Sequence, residues 1–412
     1  MVRSTLVVLL ALGCASGGSK SPPADASDEP VPDAAGGAGG SPRLDAAAST
    51  PDAILDGPTA DSSMLTPDAL APTDTAAAAD APPRGNPFVY VGSEMGSEIL
   101  IFQLDLATGA LMPRGRVPSG PSPDYLAFHP SRKFLYALNE VPAGRVVAFS
   151  VDAATGMLTR LNDASSGGAG PAHISVHKSG RWLLSSNYAS GHVAALPIMD
   201  DGRLGAPVAP RIAGANAHMI IDDGVTGKFV FVPSKGDNRL LQFKFDEATG
   251  RLEPNTPPFV AQLGAPRHMV FHRSGKFAFL LTEAGRSVIS YRYDATTGLL
   301  SDGVSQEASP SGDGAHIVLH PSLELLYVSL RFFDSVGRLA IGEGRAQPPQ
   351  HFHDQIARPW DMAFEPGGRY LLVANNDNAT VKVLRIDASG APAVVGAGAS
   401  VLPRPRFVGV LP

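Results

Sequence analysis

The chain has 412 residues, with 33 Lys and Arg against 39 Asp and Glu and a formal net charge of −6. Eleven of those acids but three of the bases fall between Ala15 and Asn86, so the net charge belongs to that stretch; it gives no sign of a nucleic-acid partner, and none is expected. A single cysteine, Cys14, excludes an internal disulfide.

In chain order, residues 1–13 come first. Arg3 precedes the apolar run "TLVVLLAL", which is too short to cross a bilayer, and "ALGC" follows. Small Gly13 before Cys14 resembles a bacterial lipoprotein signal, with a plain secretory signal and an incidental cysteine as the alternative. Acyl chains on Cys14 would anchor the protein without a transmembrane helix. Ala15 in the next position resembles the outer-membrane sorting class. The expectation is an exported protein, lipid-anchored to a bacterial membrane through Cys14 alone.

Residues 14–86 are Ala, Pro, Asp, Ser, Thr and Gly in the main, with no Phe, Tyr or Trp before Phe88 and no His. Such a segment cannot bury enough apolar surface to offset the entropy of ordering, so a disordered tether is expected.

Residues 87–412 repeat. "FQLDLATGAL", "FSVDAATGML", "FKFDEATGRL" and "YRYDATTGLL" carry Asp105, Asp152, Asp246 and Asp294, and weaker copies lie at Asp200, Gly342 and Asp387. Between them stands a second motif in six copies, among them "DYLAFHPSRKFLYALNE", "AHISVHKSGRWLLSSNY" and "RHMVFHRSGKFAFLLTE". Each unit of about 47 residues holds four short β-rich runs separated by turn residues, the pattern of a propeller blade. The missing seventh copy is split: "RFVGV" near the C-terminus supplies the inner strand that "FVYVGS" continues. The chain is therefore predicted to be all-β, a seven-bladed β-propeller of four-stranded antiparallel blades. Its C-terminal strand joins the first blade and leaves no open sheet edge. A monomer is expected.

Strands in a blade alternate in direction, so the start of the first and the end of the second share one face of the disc. Arg267 and Glu283 each stand eight residues from Gly275 and should meet there. The same counting brings His316 to Arg331, His173 to Asn187, and His218 to Ser234. The Asp-x-x-Thr-Gly turns fall on the other face, where Asp and Thr cap the turn and Gly takes positive φ. The spacing His-x-x-x-His recurs at His173, His268 and His316. On a strand, residues four apart stand about 13 Å from each other, too far for one metal, so the second His should pack at a turn and no metal is assigned. No cofactor is expected.

"LYALNE" (135–140), "PAHISV" (171–176), "NYASGHV" (187–193), "GAPRHMVFH" (264–272) and "YVSLRFFDS" (327–335), in this order and spacing, resemble the lactonase family of seven-bladed propellers. That family includes a type of 6-phosphogluconolactonase and the 3-carboxymuconate-lactonising enzyme. The resemblance implies catalytic roles for His218, Arg267, Glu283 and Arg331. His173, His268, His316 and Asn187 are expected to help hold the substrate, a sugar-acid or other acidic lactone. Glu140, with Asp124 opposite it, is expected to be structural or to support the site residues from behind. Asn216 stands where the family often has His, and "RPWD" (358–361) lacks the family's Pro-Arg order. Lactone hydrolysis needs a base for water, here Glu283 or His218, and cations where the oxyanion forms. The alternative is a tethered propeller that binds a ligand or protein partner without chemistry.

Overall fold

The computed structural model describes residues 85–411; the signal, Cys14 and nearly all of the tether lie outside them. Among the described residues there are strands and turns and no helix. Seven antiparallel sheets form seven blades in a ring. The first is built from Pro405–Leu411, Phe88–Ser93, Glu98–Leu104 and Leu111–Pro118, in that order from the inside, so the C-terminal strand does close the ring. In this pairing Val410 stands opposite Val89 and Val408 opposite Val91.

The inner strands of the next six blades begin at Pro123, Pro171, Ile221, Pro266, Asp313 and Pro359. The fourth blade's inner strand is only Ile221–Asp222, extended by an isolated bridge between Ala217 and Ser234. In the sixth blade the outer edge is divided between Arg345–Ala346 and Gln350–Phe352, both pairing with Ser335–Gly342. One of the weaker repeat markers, at Gly342, lies there.

The middle strands of each blade are apolar on both faces because both are covered. Seven hydrophobic clusters fill the gaps between blades; the one joining the last blade to the first sets Leu372 and Val383 against Val89 and Val91. Polar ties supplement them. The Tyr90 and Tyr136 hydroxyls donate to the carbonyls of Gly156 and Gly202 in the following blade. These glycines lie in the repeated turns, as does Gly298 (φ 70°), where a Cβ would run into the Phe229 ring of the preceding blade. Asp246 and Asp294 accept from turn amides and from Thr249 and Thr297, as the turn motif implied.

The second histidine of each pair packs at a turn. His177 Nε2 donates to the Gly227 carbonyl and His320 Nε2 to that of Gly368, each in the next blade.

Candidate active site

One local irregularity, repeated, builds the site. In five blades the inner strand opens with proline: Pro123, Pro171, Pro266, Pro359 and Pro405. Proline has no N–H for the ladder and is tolerated at a strand's first residue. In each case the pairing register then slips by one residue. A bulge of this kind leaves the extra residue unpaired and re-aims its side chain. The extra residues are Asp124, Ala172, Arg267, Trp360 and Arg406, and all five line one cavity of about 190 Å³ at the channel mouth. His218 takes the matching place in the fourth blade. The second ring of side chains follows the end of the neighbouring strand: Glu140, Tyr188, Lys235 and Glu283, with Arg331 at the same level.

Arg267 and Glu283 meet as the hairpin arithmetic predicts, and Glu283 does more than pair with Arg267. Its Oε1 lies 2.6 Å from Lys235 Nζ and 3.0 Å from Arg331 Nη2, and its Oε2 lies 3.1 Å from Arg267 Nε. Burial alone would raise the Glu283 pKa; Arg267, Arg331 and Lys235 outweigh it and hold the carboxyl below the usual glutamate range. The carboxylate is thus a hub for three cations. Arg267 is 3% exposed and also donates to the Ala315 carbonyl.

His218 stands beside this hub. Burial first, then the charges of Arg267 and Lys235, hold its pKa well below the ordinary histidine value, so the imidazole is neutral at neutral pH. Its buried Nδ1 has no hydrogen-bond partner among the described residues.

His173, His268 and His316 sit one residue deeper than the bulge positions. His316 therefore does not face Arg331, which pairs with Asp313; two residues of the sixth blade, Ala315 and His316, are skipped by the ladder. The three rings form a layer with Tyr125. Its centroid is 4.2 Å from that of His173, and the His268 and His316 centroids are 4.8 Å apart. His316 Nδ1 lies 2.7 Å from His268 Nδ1 and 2.9 Å from Asp361 Oδ1. Burial leads in keeping His173 and His268 uncharged, with His173 pushed down to about 3. Of the three, His268 lines the cavity. Beyond this layer the channel turns apolar, lined by Leu126, Met219 and Met362. No group of three or more His, Cys, Asp or Glu among the described residues is spaced to hold a metal.

Asn187 faces the other way. It is fully buried, and its Nδ2 donates to the Ser166 and His192 carbonyls. Ser234, expected opposite His218, likewise turns inward to the Ala215 carbonyl. The bulge shifts the mouth by one position, so Tyr188 and Lys235 occupy the places assigned to Asn187 and Ser234.

Besides Tyr188 and Lys235, two groups escaped the sequence reading. Arg406, beside the C-terminal strand's opening proline, donates to Asp124 and Glu140, each at 3.0 Å, and reaches Glu94 at 2.7 Å. Glu140 thus lines the cavity rather than serving only as a brace. Trp360 stands between the two charged groups, its ring 4.5 Å from the Arg331 guanidinium carbon and 4.6 Å from that of Arg406. The legible signal was Pro-X at each strand opening.

The family described as "Lactonase, 7-bladed beta-propeller" matches residues 88–408. The chain is 33% identical over 188 residues to a 6-phosphogluconolactonase of Serratia proteamaculans, covering 45% of this chain and 55% of that protein. It is 30% identical over 196 residues to one from Bacillus subtilis, covering 44% and 56%. The alignments thus span about half the length of these curated relatives. Among solved structures, the periplasmic gluconolactonase of Pseudomonas aeruginosa superposes with a TM-score of 0.74 at 24% identity, over 80% of this chain and 99% of that one. At that identity the likeness speaks for the fold.

Proposed function

The chain belongs to the seven-bladed β-propeller lactonase family, and from that premise we propose that its charged mouth hydrolyses the lactone of a sugar acid. The observation that carries this is a neutral His218, its buried Nδ1 unpartnered among the described residues, next to three cations fixed on one carboxylate. His218 takes a proton from water as the water oxygen bonds to the lactone carbonyl carbon. Arg267, Lys235 and Arg331 stabilise the oxyanion, and being held by Glu283 they need no reorganisation as charge develops. When the intermediate collapses, the bond from the carbonyl carbon to the ring oxygen breaks. The imidazolium returns its proton to that oxygen, leaving a hydroxy acid. Glu283 is then a positioning residue, since both its oxygens are engaged with cations, whereas the His218 Nδ1 has no partner among the described residues.

Hydrolysis is followed by acid release across a panel of aldonolactones and aryl lactones, with the spontaneous rate subtracted. Turnover of at least one aldonolactone is expected. Binding of anions through Arg267 and Arg331 without turnover of any lactone would favour a ligand-binding propeller instead.

The export signal and lipid on Cys14 belong to the same proposal, supported by the sequence "ALGC" and the tether that follows. Cys14→Ser should move the protein from the membrane fraction to the soluble one.

A further inference from the structure

The mouth is electrically two-sided. In the fourth to sixth blades, Lys235, Arg267 and Arg331 surround one carboxylate, Glu283. In the first and second blades the arrangement is reversed: Asp124, Glu140 and Glu94 surround one cation, Arg406. Between the two halves stand aromatic side chains, Trp360 of the seventh blade on one flank and Tyr188 of the third on the other.

We propose that the acidic half is a subsite for the hydroxyls of an unphosphorylated aldonolactone, and that it makes the site reject the 6-phosphorylated form. This rests on the lactonase reading and adds the substrate class. Asp124 is 5% exposed, lines the cavity, and its Oδ1 has no hydrogen-bond partner among the described residues. Burial, then the adjoining Glu140 carboxyl, push its pKa up to about 9 against the pull of Arg406. A carboxyl that keeps its proton can donate to one hydroxyl and accept from another, and Glu140 beside it accepts; a polyol matches both.

A phosphate matches neither half productively. The oxyanion of the reaction has to form beside His218, among Arg267, Lys235 and Arg331. A phosphate on those cations would leave the carbonyl facing Glu140, where a growing negative charge is opposed. With the carbonyl correctly placed, the phosphate must enter the acidic half. There Arg406 is the one cation among the described residues that lines the cavity, and its Nη1 and Nη2 already serve Asp124, Glu140 and Glu94.

The test uses the full chain with glucono-1,5-lactone and its 6-phosphate as paired substrates. The expected kcat/KM favours the unphosphorylated lactone by about tenfold or more, because juxtaposed like charges are penalised. Glu140→Gln should raise KM for gluconolactone and narrow that ratio. Calorimetric titration of the two products, gluconate and 6-phosphogluconate, should show the same preference without turnover. Preference for the phosphorylated lactone, or a Glu140→Gln variant with the wild-type ratio, would overturn the subsite while leaving the lactonase reading standing. Hydrolysis of neither lactone would remove the lactonase reading and the subsite with it.

Discussion

In the proposed reaction, His218 and Glu283 divide the work that either could have done alone. A carboxylate held by Lys235, Arg267 and Arg331 is a weak base but a rigid frame for three donors. Replacing it should therefore damage the site in two ways. Glu283→Gln removes the counter-charge of three neighbouring cations, and a loss of up to about 3 kcal/mol in unfolding free energy is expected by denaturant titration, with reduced kcat. His218→Gln keeps a polar side chain of similar reach and leaves those ion pairs alone. Turnover should fall by roughly 10²–10⁴-fold, the usual contribution of a positioned base, with little change in the denaturation midpoint. If Glu283→Gln kept full stability while losing all turnover, the base would be Glu283. Arg267 and Glu283 were legible in the sequence because they stand at the two ends of one hairpin; Arg331 came with the family resemblance, and the partner that counting gave it, His316, lies elsewhere. Asp124 and Arg406 were not legible, because their partners come from opposite ends of the chain.

At the level of strands, the bulge decides which residues face the mouth. Counting symmetrically from the hairpin turn places Asn187 beside His173; the extra residue after Pro171 shifts the pairing by one and puts Asn187 opposite Pro171. A slip of one residue reverses every side chain that follows it. The blades, their number and their closure were readable from the repeat, since turn residues and apolar runs mark them directly. The bulges leave only a proline as their trace. Two substitutions separate the neighbours. Asn187→Ala deletes buried hydrogen bonds and should cost about 1–3 kcal/mol of stability with kcat/KM close to wild type. Tyr188→Ala, on the cavity wall, should raise KM and leave the melting curve almost unchanged. The reverse pattern would mean that the mouth is lined by Asn187 after all.

The ring as a whole depends on its closing strand and on the charge state of its channel. Truncation after Arg404 removes Pro405–Leu411, with Phe407 and Val408 from the core and Arg406 from the mouth. Stability should fall by several kcal/mol (about 4 or more), as for loss of any buried strand, and an unchanged melting curve would contradict the closure. Acid acts through the histidine layer. His173 and His268 have folded pKa values below 6.5, so below that pH the unfolded chain binds protons that the folded one refuses. Stability is lost as pH falls below 6.5, down to about 3 for His173, with a slope of up to about 1 kcal/mol per pH unit from each group. Asp124 has the opposite sign. Its raised value means that stability falls as pH rises from its unfolded value of 3.8 toward about 9. Asp124→Asn should therefore be more stable than wild type at slightly alkaline pH, and the gain should vanish in acid. Thermal melts across that range read both slopes.

The mouth is proposed to hydrolyse an aldonolactone with His218 as its base. The most direct test is acid release from glucono-1,5-lactone by wild type and His218→Gln, with product binding measured on both. Catalysed hydrolysis by wild type and its loss in the variant are expected, while gluconate still binds to both. Equal turnover by the two proteins, or none by wild type, would contradict it.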